Sequence, residues 1–361
     1  DFSKGIKLGE IAAPRQGLAT GDNDTFLRLW YEVEYKKIGF DYKSTDDFHT
    51  SGKLYAPYNK GGEYCKWHGN RDWIIRFDHL SYNILQNQGN HLPSKQYRFA
   101  ESATWSALTT SGFSCRYCES GFVFDTKGSS LFCHDRDELL TYMGFLNCVV
   151  ANEIFKMLSP TVDYNAGTVA NVPILIKNDE TVVALVKDSI IITKNYTDSF
   201  ETSWDFLYHP LVPIRLEQET SQFHSFRMEK FGRIAWYYEK WELKCEDSFA
   251  KLKANEEELN RIFIDSYGLQ DGLSPEVKDK DVTVGKADLQ RDIKSLLSYA
   301  VGCMFGRYSL DVEGMAYAGG DWDESKYKTF LPDADGVLPI TDEEYLEDDI
   351  VTRLSDWLKV V

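Results

Sequence analysis

The segment 101–132, ESATWSALTTSGFSCRYCESGFVFDTKGSSLF, constrains the fold more than any other stretch. It sets Trp105, Phe113, Tyr117, Phe122, Phe124 and Phe132 between breaks at Gly112, Gly121 and Gly128. Aromatic runs of this length need a packing partner, and glycines at this spacing cut each run into a short strand between tight turns. Phe122 and Phe124 read as one half-buried strand, and Ser111-Gly112 before Phe113 reads the same way. Ser114, Arg116 and Tyr117 lie between the apolar pieces and are polar enough to meet a ligand. The plainer reading is the aromatic core of a small sheet.

A chain of 361 residues, 43% apolar and 14% aromatic, can fill two or three domain cores. No run approaches the roughly 18 consecutive apolar residues of a membrane helix. The opening DFSKGIKLGE lacks the basic-then-apolar layout of a signal peptide and has no initiator Met. These features predict a soluble cytoplasmic chain, cut from a longer protein and not bound to a membrane. Net charge is −17 and unevenly placed: residues 1–200 carry 21 Lys and Arg against 24 Asp and Glu, and residues 201–361 carry 19 against 33. DNA affinity rests largely on neutralised phosphates, so any DNA face belongs to the first half.

Seven cysteines without a regular framework predict reduced thiols. Cys115 and Cys118 have the spacing of a zinc pair, with Cys133 and His134 as later candidates. Adjacent ligands are awkward to aim at one metal, so free thiols are the expectation and no metal site is assigned.

Along the chain, residues 14–24 form a turn-rich loop in which 20–23 offer amides and a hydroxyl to a phosphate, without a P-loop ending. Residues 41–100 interleave Lys60, Lys66, Arg71 and Arg76 with Tyr55, Tyr58, Tyr64, Trp67 and Trp73, a mixture that grips a backbone and stacks on bases. Ordinary surfaces carry such mixtures too. Asp135 and Glu138 open a helix whose apolar positions run to Met157 and which Pro160 stops. Strands are expected near 174–176 and 182–186. A loop over 198–224 leads to a long helix after Gly232, ended by Gly268, with 255–258 read as a solvated acidic face. A further helix follows Asp288. The acidic tail lacks calcium-loop spacing and reads as a docking or solubilising face.

Several of these stretches resemble one family. The residues are Thr104-Trp105-Ser106, then Ser111-Gly112-Phe113-Ser114 with Arg116-Tyr117, then Gly121-Phe122, Phe124-Asp125 and Gly128. Longer matches are RQGLATGDNDTFLRLWYEV from Arg15, PYNKGG from Pro57, DSFETSWDF from Asp198, KANEEELNRIFIDSYGLQD from Lys253 and SYAVGCMFGRYSLDVEGMAYAGG from Ser298. Together they resemble the target-recognition and C-terminal region of PglX-type proteins, the adenine-specific DNA methyltransferases of BREX phage-defence systems.

The resemblance implies an α+β organisation. A target-recognition domain with small sheets spans 1–200, a loop and long spacer helix 201–270, and a helical, acidic C-terminal region 271–361. It implies double-stranded DNA as partner, together with other phage-defence proteins, and S-adenosylmethionine as cofactor of the parent enzyme. The cofactor turn and the N-P-P-Y base-flipping motif of that family are not found here, so no catalytic or cofactor residue is assigned. Candidate DNA contacts are Arg15, Thr20, Asn23, Lys60, Lys66, Arg71, Thr104, Ser106, Ser114 and Arg116. Arg and Lys suit guanine or phosphate, and Asn suits adenine. The competing reading is an interaction scaffold whose acidic half docks other defence proteins.

Overall fold

The computed structural model describes residues 5–159, 163–176, 178–212, 233–342 and 346–361. Ten short strands occur among them: β1 (Ile6–Lys7), β2 (Ala13–Arg15), β3 (Leu27–Leu29), β4 (Tyr55–Asn59), β5 (Trp73–Arg76), β6 (Ser102–Trp105), β7 (Cys115–Cys118), β8 (Val123–Phe124), β9 (Ser130–Phe132) and β10 (Pro173–Ile174). Helices account for most of the remaining regular structure, so the chain is mixed α and β as expected.

The 101–132 segment supplies four strands, β6 to β9. It feeds two sheets, ordered β2-β9-β6-β7 and β3-β5-β4-β8. The first is antiparallel throughout, with Arg15 opposite Ser130 and Thr104 opposite Arg116. The second is closed at one edge by the parallel pair β4 and β8. Since β8 and β9 belong to different sheets, the turn at 125–129 is where the chain passes between them. Burial explains the aromatic density. Phe113 stacks on Phe155 with ring centroids 4.4 Å apart, and Trp105 donates to the Tyr164 carbonyl at 2.6 Å. Phe48, Phe77 and Phe99 form a second buried aromatic cluster, with centroids 5.8 to 6.0 Å apart.

Two local expectations change. The apolar run after Asp135 forms two helices, Arg136–Leu146 and Val149–Leu158. At the break, the Asn147 side chain bonds both backbone groups of Cys115, at 2.8 and 2.9 Å, which draws it out of the helical repeat and fixes it to β7. The valines at 182–186 are helical, inside Glu180–Thr197. Their β-propensity yields to spacing: Val182, Val183, Val186, Ser189, Ile192 and Thr193 line one buried face.

The long helix runs Arg233–Tyr267, and Gly268 follows it at φ +66°. Backbone contacts divide the chain into two units. One comprises Asp1–Lys194 and Ala250–Thr283, and the other Asn195–Phe249 and Val284–Val361. The second unit is built on the helices Leu289–Met304 and Ile350–Val360, whose buried Leu296, Tyr299, Met304 and Trp357 pack with Trp241 and Tyr308. Buried Asp292 accepts from the Trp241 indole at 3.0 Å. The expected loop over 198–224 lies outside the described residues from 213 onward. No helix among the described residues is long and apolar enough to cross a membrane.

Candidate nucleic-acid interface

The turn at 125–128 is clamped from both sides by backbone that only glycine permits. Gly17 and Leu18 donate to the carbonyls of Asp125 and Phe124 at 3.3 and 2.9 Å, and Thr126 returns a bond to Leu18 at 3.1 Å. A Cβ on Gly17 would stand 1.9 Å from the Phe124 oxygen, and one on Gly128 would stand 2.1 Å from the Asn59 oxygen. Inside the turn, buried Asp125 accepts from the Tyr58 hydroxyl at 2.6 Å and from the Lys127 amide at 2.7 Å. The Ser106 hydroxyl donates to the Gly62 carbonyl at 2.8 Å and ties down the neighbouring glycine pair.

Three cations surround this turn. Lys127 projects from it, exposed. Half-buried Lys60 sits over the Trp73 ring, 4.5 Å from its centroid. Burial lowers the Lys60 pKa, against the opposing pull of Asp125 and Asp24. Exposed Arg15, at the end of β2, lies over Tyr97 at 5.3 Å. The loop 17–23 runs beside them and rests on 88–90, where Asn90 bonds Gly17 and Ala19 and Gln88 bonds Thr20. It presents Asn23 outward while buried Thr20 donates to the Asn23 side chain at 2.6 Å. A half-exposed cation over an aromatic ring, flanked by an exposed lysine and an exposed arginine, is suited to holding phosphates along a stacked strand.

The other sequence candidates occupy different places. Lys66, Thr104, Ser106, Ser114 and Arg116 are buried, as is Thr20. Burial takes these six side chains away from a surface, and several hold backbone instead. Thr104 donates to the Ser129 carbonyl at 3.1 Å. Arg116, 1% exposed, reaches the Cys65 carbonyl at 3.5 Å, its Nε meets no partner, and among the described residues it pairs with no carboxylate. Burial lowers its pKa and pushes the flanking Cys115 and Cys118 thiols up to about 12. Arg71 is half-buried, ion-paired with Glu119 and placed over Phe122 at 5.1 Å. Among the described residues no cluster of His, Cys, Asp and Glu is arranged to hold a metal ion.

Two residues escaped the sequence reading. Lys127 fills an open position of the F-D-x-x-G pattern, and only the fold shows its proximity to the 60–62 turn. Glu256, expected on a solvated face, is 3% exposed: Lys66 and the Trp67 indole both donate to its carboxylate at 2.7 Å. Asn255 is buried beside it and bonds Asp188 at 2.7 Å. Burial works against the Lys66 charge, but Glu256 and Tyr64 overcome it and raise the pKa. The pair fastens the loop 64–69, which also adds to β7 through Trp67 and Tyr117.

No protein-family model matches the chain. It is 42% identical, over 98% of its own length, to the adenine-specific methyltransferase PglX of Lacticaseibacillus casei strain Zhang. It is 32% identical over its whole length to the adenine-specific methyltransferase BrxX of Escherichia coli O9:H4 strain HS. It spans 29% and 30% of those two proteins. Over essentially its entire length, the chain is therefore a PglX-like sequence.

Proposed function

We propose that the first unit recognises a DNA target on behalf of an adenine-specific methyltransferase. The observation that carries this reading is the glycine-clamped turn at 125–128, around which Arg15, Lys60 and Lys127 stand accessible beside the exposed Asn23. Arg15, Lys60 and Lys127 hold phosphates, and Asn23 reads a base edge. Half-buried Arg71 is a secondary contact, released from Glu119 when a phosphate competes for it. The buried Thr20, Lys66, Thr104, Ser106, Ser114 and Arg116 set the shape of the loops that carry these groups. The relatives' description as adenine-specific methyltransferases supplies the reaction that this recognition would serve. S-adenosylmethionine belongs to that whole enzyme, and no residue of this chain is assigned to it.

The test is selection of random-sequence duplexes by this chain at low and moderate salt, followed by sequencing of what is retained. An asymmetric motif is expected. Lys60→Ala and Lys127→Ala together should weaken binding about tenfold or more without changing the motif, whereas Asn23→Ala relaxes it at one position. Unchanged affinity in Arg15→Ala/Lys60→Ala/Lys127→Ala would remove this surface from DNA binding.

A further inference from the structure

The second unit carries several well-exposed large apolar side chains near its last helix. Ile340 is 81% exposed and Leu331 63%, and Leu346 and Val351 are each about half exposed. The segments that carry them are hydrogen-bonded to the first two turns of the helix Ile350–Val360. The amide of Ile350 donates to the Pro339 carbonyl at 3.0 Å, beside Ile340. The Thr341 amide bonds the Asp349 carboxylate at 3.1 Å, and the Asp349 amide bonds the Leu346 carbonyl at 3.2 Å. One turn along the same helix, Arg353 donates to the Leu331 carbonyl. Val351 lies within that turn.

The loop that leads to Ile340 is hydrogen-bonded in place. Asp333 accepts from the amides of Asp335, Gly336 and Val337 at 3.1, 2.8 and 3.3 Å, and its own amide donates to the Met304 carbonyl at 2.7 Å. Leu338 turns inward to the core while Ile340 turns out. These bonds hold the backbone on either side of Leu331 and before Ile340, and ordered apolar side chains cost less entropy to bury against a partner. Exposed apolar side chains carried on segments bonded to one helix end favour an interaction site.

The surrounding charge chooses the occupant. Asp321, Asp323, Glu324, Asp335, Asp342 and Glu347 are all exposed in the 321–347 stretch, against Lys328 and the half-exposed Lys326. This acidic stretch, with Asp342 and Glu347 next to Ile340 and Leu346 in the chain, repels duplex DNA and anionic lipid alike. It suits a protein whose apolar anchor is ringed by Lys and Arg, with the oily contact giving affinity and the rim giving orientation. We propose that the surface around Leu331, Ile340, Leu346 and Val351 is the docking site for a basic-rimmed protein partner. This assignment is independent of DNA reading by the first unit.

The test places a photo-crosslinking p-benzoylphenylalanine at Ile340 in the full-length protein, expressed in its native host, with the same substitution at Lys359 as the control position. Mass spectrometry then identifies the joined peptide. A cross-link from position 340 to an apolar peptide flanked by Lys or Arg is expected. It should be absent from position 359, and lost when Asp342→Lys and Glu347→Lys reverse the rim. Thermal melting checks that the reversed protein remains folded. A cross-link to a second copy of this chain, to an acidic peptide, to nucleic acid, or to nothing would overturn the proposal.

Discussion

At the scale of single residues, Glu256 anchors a buried ion pair in the first unit. Its carboxylate is almost wholly buried and satisfies two donors, the Lys66 ammonium and the Trp67 indole. Removing one member of such a pair strands the other charge out of water, at a cost of about 3–5 kcal/mol. Glu256→Gln should therefore lower the urea midpoint steeply, and Lys66→Met in the same chain should recover much of the loss by removing the stranded ammonium. A loss under about 1 kcal/mol for Glu256→Gln would mean that water reaches the pair. His68, two positions from Lys66, makes a different demand. Burial, reinforced by Arg71 and Lys194, pushes its pKa down to about 2. The unfolded imidazole takes a proton near pH 6.5, whereas the folded one stays neutral, so the stability it secures is complete above that pH and declines as pH falls. Between about pH 7.5 and 5.5 the decline is about 1.4 kcal/mol for this group. Urea titrations at the two pH values should show His68→Gln losing less than the unaltered chain by roughly this amount, and equal losses would place the titration elsewhere.

At the scale of elements, close packing outranks local propensity. Gly144 in the helix Arg136–Leu146 lets the helix Glu180–Thr197 approach until an added Cβ would stand 2.9 Å from both Val182 Cγ1 and Val186 Cγ2. Alanine gains about 1 kcal/mol of helix propensity over glycine, but valine methyls fixed in a helix do not swing aside. Gly144→Ala should thus be destabilising by about 1–2 kcal/mol, and Val182→Ala beside it should relieve the clash. A stabilised Gly144→Ala in thermal melts would show that the two helices can separate freely. The same contact explains what the sequence left illegible. The long helix, its glycine stop and the helix after Asp288 were readable from 3.6-residue periodicity and stop signals. The valines at 182–186 were not, because their β-preference is visible locally while the facing Gly144 lies 38 positions away. Asn147 hid its helix break for the same reason, since its partner is the Cys115 backbone. Of the candidate interface, Arg15 and Asn23 are exposed and Lys60 is half-buried, positions that residue type alone leaves open. The burial of Lys66 and Arg116 was invisible without their tertiary surroundings, as was the nearness of Lys127 to the 60–62 turn.

At the scale of the molecule, the charge balance limits how the proposed DNA contact could be made. The first 200 residues carry 21 basic side chains, but the fold commits many of them to its own acids. Lys66 pairs with Glu256, Arg71 with Glu119, Arg76 with Asp78, Arg136 with Glu101 and Lys187 with Asp137. Arg15, Lys60 and Lys127 carry no ion pair among the described residues. A net charge of −17 gives no general attraction to a polyanion, so affinity must come from a few placed cations and from contacts to bases. Each neutralised phosphate contributes about −0.9 to the slope of log K against log salt, so Arg15, Lys60 and Lys127 predict a slope near −2.7, and near −3.6 when Arg71 is also released from Glu119. Fluorescence anisotropy of this chain on a selected duplex, across a salt series, measures it directly. Lys127→Ala should make the slope shallower by about one unit while the preferred sequence stays the same. A slope steeper than about −5 would require a basic face wider than Arg15, Lys60 and Lys127. A flat dependence would mean that base contacts and shape, rather than phosphates, hold the complex together.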